Sequence, residues 1–79
     1  MWYVYIILCQ FDQTLYTGIT NHLERRLKQH TSNKGAKYTR GRGPFTLIKC
    51  FTCQTRSEAL ILEARIKKLS RLQKLQYVT

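Results

Sequence analysis

Residues 2–9, Trp-Tyr-Val-Tyr-Ile-Ile-Leu-Cys, are aromatic, β-branched or aliphatic without a polar alternation. Such a run predicts a strand that is apolar on both faces and therefore lies in the middle of its sheet. Residues 10–14, with Asp12, are polar and turn-like, and residues 15–19 resume strand character, so the two runs make an antiparallel hairpin. Asn21 followed by Glu24 reads as a capping-box helix start, and the helix runs to about His30. Gly35 is available for a left-handed turn beyond it. Residues 31–44 form the longest irregular stretch, closed by Pro44, and residues 45–53 read as a third strand. Thr55 and Glu58 form a second capping box, opening a helix over residues 56–69; Ser70 breaks it and starts a short final helix over 71–77. The order β-β-α-β-α-α has no internal repeat and no linker. It predicts one α+β domain over residues 1–79, a small three-stranded antiparallel sheet with flanking helices.

The helical faces contain polar residues where apolar ones are expected. At about 100° per residue, Leu23, Arg26, Leu27 and His30 share one face of the first helix, while Arg25, Lys28 and Gln29 point elsewhere. Burying the leucines brings Arg26 and His30 to the edge of the core. Packing of the Arg26 methylenes and a satisfied boundary histidine would account for this without any function. In the second helix Ala59, Leu62, Ile66 and Leu69 make the buried stripe, and Glu63 projects within about 40° of Ala59. A carboxylate there needs a cation, a hydrogen bond or a metal, because desolvating it alone costs several kcal/mol. An ion pair to Arg26 is the structural explanation to weigh against a metal.

Composition narrows the partner. Fourteen Lys and Arg against four Asp and Glu give a formal charge of +10 on 79 residues, with a pI near 10.0. The hydrophobic fraction of 43% separates the chain from disordered basic tails and supports a core. Burial in a domain of this size contributes only roughly 3–5 kcal/mol. No apolar run approaches the roughly 18 residues that cross a bilayer, and the first residues lack a basic leader. A cytoplasmic protein with a polyanionic partner is expected. Cys9, Cys50 and Cys53 are an odd number and fit a reducing compartment. Cys50-x-x-Cys53 is half of a zinc spacing that Cys9, His22 or His30 could complete. On a strand, however, residues three apart face opposite ways, so free thiols are the better reading.

Tyrosines complete the constellation. Tyr3 and Tyr5 share a face of the first strand, and Tyr16 precedes Gly18 by two residues on the second. A strand glycine suggests close approach of another backbone or a ligand. A tyrosine face, an inward Arg and His and an inward Glu, bordered by the basic stretch Lys34, Lys37, Tyr38, Arg40 and Arg42, suit phosphodiester chemistry.

These residues resemble the GIY-YIG nuclease family, which takes its name from two tripeptides on neighbouring strands. The first is Tyr3-Val4-Tyr5 here and the second Tyr16-Thr17-Gly18; Tyr5 and Tyr16 are eleven apart, and Arg26 follows Tyr16 by ten. The likeness covers nearly the whole chain, including the Leu-Glu-Ala segment around Glu63. It implies a divalent-metal-dependent DNA endonuclease, using Mg²⁺ or Mn²⁺, of the kind found in DNA repair and in small structure-specific nucleases. By resemblance Tyr16 is the general base, Tyr5 supports it through hydrogen bonds, and Arg26 stabilises charge on the scissile phosphate. His30 matches a residue that hydrogen-bonds the catalytic tyrosine, and Glu63 matches the carboxylate that holds the metal. Lys34, Lys37, Tyr38, Arg40 and Arg42 become candidates for contacting DNA, branched or with free ends. Tyr3 and Thr17 depart from the motif's glycine and isoleucine. Ile19 stands where some members carry a lysine, so no proton relay runs through that position.

The implied chemistry is consistent with general principles. A phenol is a poor base at neutral pH, but a nearby guanidinium and a metal favour its phenolate. One carboxylate suffices for Mg²⁺ when phosphate oxygens and water complete the octahedron. A catalytically silent DNA- or RNA-binding module explains +10 equally well, but it does not explain an inward Glu63 together with an inward Arg26 and His30. A third reading is an interaction module that delivers nuclease chemistry only within a complex.

Overall fold

A computed structural model describes residues 1–10, 12–31 and 44–77. Three strands and three helices follow the expected order: β1 (Trp2–Cys9), β2 (Leu15–Thr20), α1 (Leu23–Thr31), β3 (Phe45–Cys53), α2 (Arg56–Lys67) and α3 (Arg71–Tyr77). The sheet is antiparallel in the order β2-β1-β3, so the most apolar strand is the central one. Tyr5 sits opposite Gly18 on one side and Cys50 on the other. The pairing with β3 shifts register between Ile6 and Ile7, a bulge that bends the strand locally.

The β1–β2 connection closes through Cys9 N–H to the Thr14 carbonyl at 2.8 Å and Gln13 N–H to the Cys9 carbonyl at 2.7 Å. Gln13 takes a left-handed φ of 62°. The Asp12 carboxylate accepts from both the backbone N–H and the hydroxyl of Thr14, at 3.2 and 2.7 Å. An Asp in a turn commonly takes this role.

Helix α1 starts later than its sequence suggests. β2 stays paired through Thr20, opposite Tyr3, so Asn21 turns the chain and His22 occupies the cap. The His22 carbonyl accepts from Arg26 N–H at 3.1 Å and its ring Nδ1 accepts, at a long 3.4 Å, from Arg25 N–H. The Thr20 hydroxyl in turn accepts from His22 N–H. Helix α2 has the expected capping box between Thr55 and Glu58, and it ends at Lys67 with Lys68 as its C-cap. Ser70 then caps α3 through a reciprocal pair with Gln73, at 2.9 and 3.2 Å, a Ser-x-x-Gln box.

Sheet alternation creates two different faces. Val4 and Ile6 point to α2 and pack with Ala59 and Ile66, all four at 0% exposure. Leu62 and Leu69 extend that stripe as partly buried residues. The neighbouring β2 residue Thr17, opposite Ile6, is 2% exposed, and its hydroxyl has no hydrogen-bond partner among the described residues. Tyr3, Tyr5 and Ile7 alternate to the opposite face, where α1 delivers His30.

Candidate active site

The tyrosine face is built around Gly18. A Cβ on that residue would lie 2.5 Å from the Tyr5 hydroxyl, 2.7 Å from its ring carbon Cζ and 3.1 Å from the Tyr16 ring. The close approach suggested by a strand glycine is therefore made by a tyrosine side chain rather than by backbone or ligand. Tyr5 lies across Gly18 at 1% exposure, whereas Tyr16 is only half-buried, with the two ring centroids 6.4 Å apart.

His30 closes the inner side of the cluster. Its Nε2 lies 2.8 Å from the Tyr5 oxygen, and its ring stands edge-on to Tyr5, Tyr16 and Phe45, with centroids 5.7, 5.4 and 6.0 Å away. At 1% exposure the ring resists charging: burial first, and the Arg26 cation second, lower its pKa to about 4. Tyr5 is shifted the other way. Burial pushes its pKa above 10.0 and outweighs the hydrogen bond from Arg26, while Tyr16 and Glu63 add smaller upward pushes. A phenol held neutral keeps its proton. Its oxygen shares a 2.8 Å hydrogen bond with neutral His30 Nε2 and lies near the Arg26 guanidinium, a donor-only group.

Arg26 is half-buried and held from two sides. It reaches Tyr5, and its Nη1 donates to Gln29 Oε1 at 3.0 Å. Gln29, which the helical projection directs elsewhere, is thus part of the clamp; residues three apart on a helix are neighbours. Glu63, with 18% of its side chain exposed, pairs with Lys67 at 3.3 Å rather than with Arg26. Its charge nevertheless acts on Tyr5. Tyr5, Tyr16, Arg26 and His30 therefore meet around one point, with Glu63 on α2 within electrostatic reach. Gln29, Phe45 and Lys67 join them without having been legible as site residues. Only the i,i+3 spacing of Gln29 and the i,i+4 spacing of Lys67 gave any signal.

Lys34, Lys37, Tyr38, Arg40 and Arg42 lie outside the described residues. Cys9, Cys50 and Cys53 form no disulfide with one another. Cys50 faces Tyr5 in register and Cys53 faces Trp2, so they project to opposite sides of the sheet. Burial, and then Cys53, raise the Cys50 pKa. Among the described residues no three His, Cys, Asp or Glu side chains gather as a metal cluster. No described helix is long and apolar enough to cross a membrane.

The single carboxylate Glu63 still suits a hard cation of the Mg²⁺ type, which is commonly bound by one or two carboxylates plus substrate phosphates and water. Its ion pair with Lys67, half-exposed on the lysine side, is of a kind worth roughly 0–1 kcal/mol and is a small obstacle to such an ion.

Comparison with known proteins agrees with this geometry. The model of the GIY-YIG catalytic domain matches residues 1–76. The UPF0213 protein of Oceanobacillus iheyensis is 54% identical over 76 residues, covering 96% of this chain and 87% of that protein. The solution NMR structure of the UPF0213 protein from Bacillus halodurans superposes with a TM-score of 0.63 at 49% identity, covering 99% of this chain and 83% of that one. That of an E. faecalis protein gives 0.66 at 49% identity, over 96% and 80%. With both tripeptides, the spaced arginine and the late glutamate in a fold of matching order, the chain belongs to the GIY-YIG catalytic-domain family.

Proposed function

We propose that this protein is a divalent-metal-dependent DNA endonuclease, with Tyr16 as general base, Arg26 stabilising the transition state and Glu63 holding the metal. GIY-YIG domains are nuclease domains and generally use divalent metals. The observation that carries the residue roles is the contrast between the two tyrosines. Tyr5 is sealed, its pKa is raised, and it is engaged by Arg26 and His30, whereas Tyr16 on the same face keeps part of its surface exposed.

Tyr16 is thus the phenol that a water can reach, and it takes the proton of the attacking water. Tyr5, hydrogen-bonded to neutral His30, holds Arg26 in place, so the guanidinium is positioned before substrate arrives. Arg26 faces the charge that gathers on the phosphoryl oxygens, an effect of preorganised donors worth factors of about 10²–10³. When bound at Glu63, Mg²⁺ or Mn²⁺ would supply Lewis-acid stabilisation of the departing oxygen. The basic residues Lys34, Lys37, Arg40 and Arg42 follow the phosphate backbone, and Tyr38 stacks on an exposed base.

Incubation of the purified protein with flapped, branched and linear DNA plus Mg²⁺ or Mn²⁺ tests the reading. Arg26→Ala and Glu63→Ala are each expected to lower turnover by a factor on the order of 10²–10³ while the fold is kept. Near wild-type cleavage by either variant rejects that residue's role. DNA binding without cleavage by the native protein returns it to a silent binding module.

A further inference from the structure

Beside the tyrosine cluster lies an open surface cavity, a groove of about 400 Å³ lined by Tyr3, Asn21, His22, Leu23 and Glu24. Its size is at the lower end of the range for small-molecule sites and is far too small for a duplex. Both walls continue into the candidate active site. Tyr3 is two residues from Tyr5 on the same face of β1, roughly 7 Å along the strand. His22 and Leu23 open the helix that carries Arg26 about one turn, roughly 5 Å, further on.

The lining describes its ligand. Tyr3 is half-buried and offers a ring, and Leu23 adds apolar surface. The exposed Asn21 amide supplies both a donor and an acceptor. His22 Nδ1 accepts the Arg25 N–H, which leaves the ring N–H on Nε2 free to donate. Glu24 sets the sign. Its carboxylate is 80% exposed and paired with Lys28 only at 3.6 Å, a weak contact at the surface. A carboxylate disfavours a phosphate beside it and favours a group with an N–H to donate. A flat apolar body with polar edges, and an amino group for Glu24 to accept from, is a nucleobase.

We infer that this cavity receives one unpaired nucleobase of the bound strand, stacked on Tyr3 and read at its edge by Asn21, His22 and Glu24, next to the phosphate that Arg26 faces. The assignment of that strand as substrate rests on the nuclease reading above. The site favours strands in which a base is already unpaired, because unstacking a paired one costs free energy. Glu24 favours bases with an exocyclic amino group, as carboxylates accept from cytosine N4, over thymine, which has none.

Binding in EDTA, with no cleavage possible, tests this separately from catalysis. The probes are short single strands of dC or dT carrying one 2-aminopurine, and the same strands in duplex. The native protein and Tyr3→Phe are expected to bind the single strand and change the 2-aminopurine emission. Tyr3→Ala, its fold checked by circular dichroism, is expected to bind about tenfold more weakly with the emission change lost. Glu24→Gln is expected to erase the preference for dC over dT. Native-like affinity and emission with folded Tyr3→Ala overturn the inference. Should Tyr3→Ala not fold, an unchanged dC-to-dT ratio in both Asn21→Ala and Glu24→Gln, at exposed positions, overturns it equally. Emission changes without cleavage in Mg²⁺ would reject the nuclease reading and leave the base site standing; cleavage without them would do the reverse.

Discussion

Tyr5 and Tyr16 carry the same phenol at different depths, and the His30 ring lies against both. A ring at 1% exposure beside a guanidinium cannot afford a second positive charge, which is why its pKa falls to about 4 from 6.5. The sign of the pH dependence follows. The unfolded chain takes up a proton near pH 6.5, whereas the folded one does so only near 4. Stability from this group is therefore complete above 6.5 and is lost progressively as the pH drops from 6.5 to 4. The melting temperature is expected to decline across that window. In His30→Gln, which can still hydrogen-bond Tyr5 but does not titrate, the decline should be shallower, and a native-like slope would remove His30 as its source. Much of this cluster is legible in the sequence, because an arginine and a histidine on a leucine face, and a lone inward acid, break the amphipathic pattern. Gln29 and Phe45 are not, because Gln29 lies off the projected stripe and Phe45 arrives from a distant strand.

At the scale of elements, the strands read correctly because apolar runs and turn residues both mark them, and the capping box fixed the start of α2 at Arg56. Asn21 misled as a cap. Local chemistry favours it, but the Thr20–Tyr3 pair extends β2 and passes the cap to His22, a tertiary constraint that the local sequence does not record. β2 also holds the fold's weakest choice. Its core face runs Leu15, Thr17, Ile19, so a hydroxyl without a partner among the described residues stands opposite Ile6, beside the Val4–Ala59–Ile66 cluster. Leaving such a group unsatisfied costs about 1–3 kcal/mol. Thr17→Val keeps the shape and is expected to stabilise the protein by about 1 kcal/mol. This should appear as a higher urea midpoint at unchanged slope; a lower midpoint would mean that the hydroxyl has a partner.

Across the whole molecule, the acids are spent locally. Asp12 holds the hairpin turn, Glu24 faces Lys28, Glu58 closes the α2 cap and Glu63 meets Lys67. Lys49 and Arg56 lie over the rings of Phe51 and Trp2. The formal net charge of +10 suits the chain to a polyanion. Each phosphate neutralised on duplex DNA contributes about −0.9 to the slope of log affinity against log salt. If the four residues of that cluster track the backbone, replacing all of them by Gln should flatten the slope by roughly 3–4. It should do so similarly for unrelated sequences, since phosphate contacts carry no base information. A slope that the replacement leaves unchanged would move the phosphate contacts to other cations, Arg25, Arg65 and Lys68 among them. A native slope near zero would remove electrostatic tracking altogether. The base cavity would then be left as the principal contact, and the affinity would be set by stacking on Tyr3 rather than by charge.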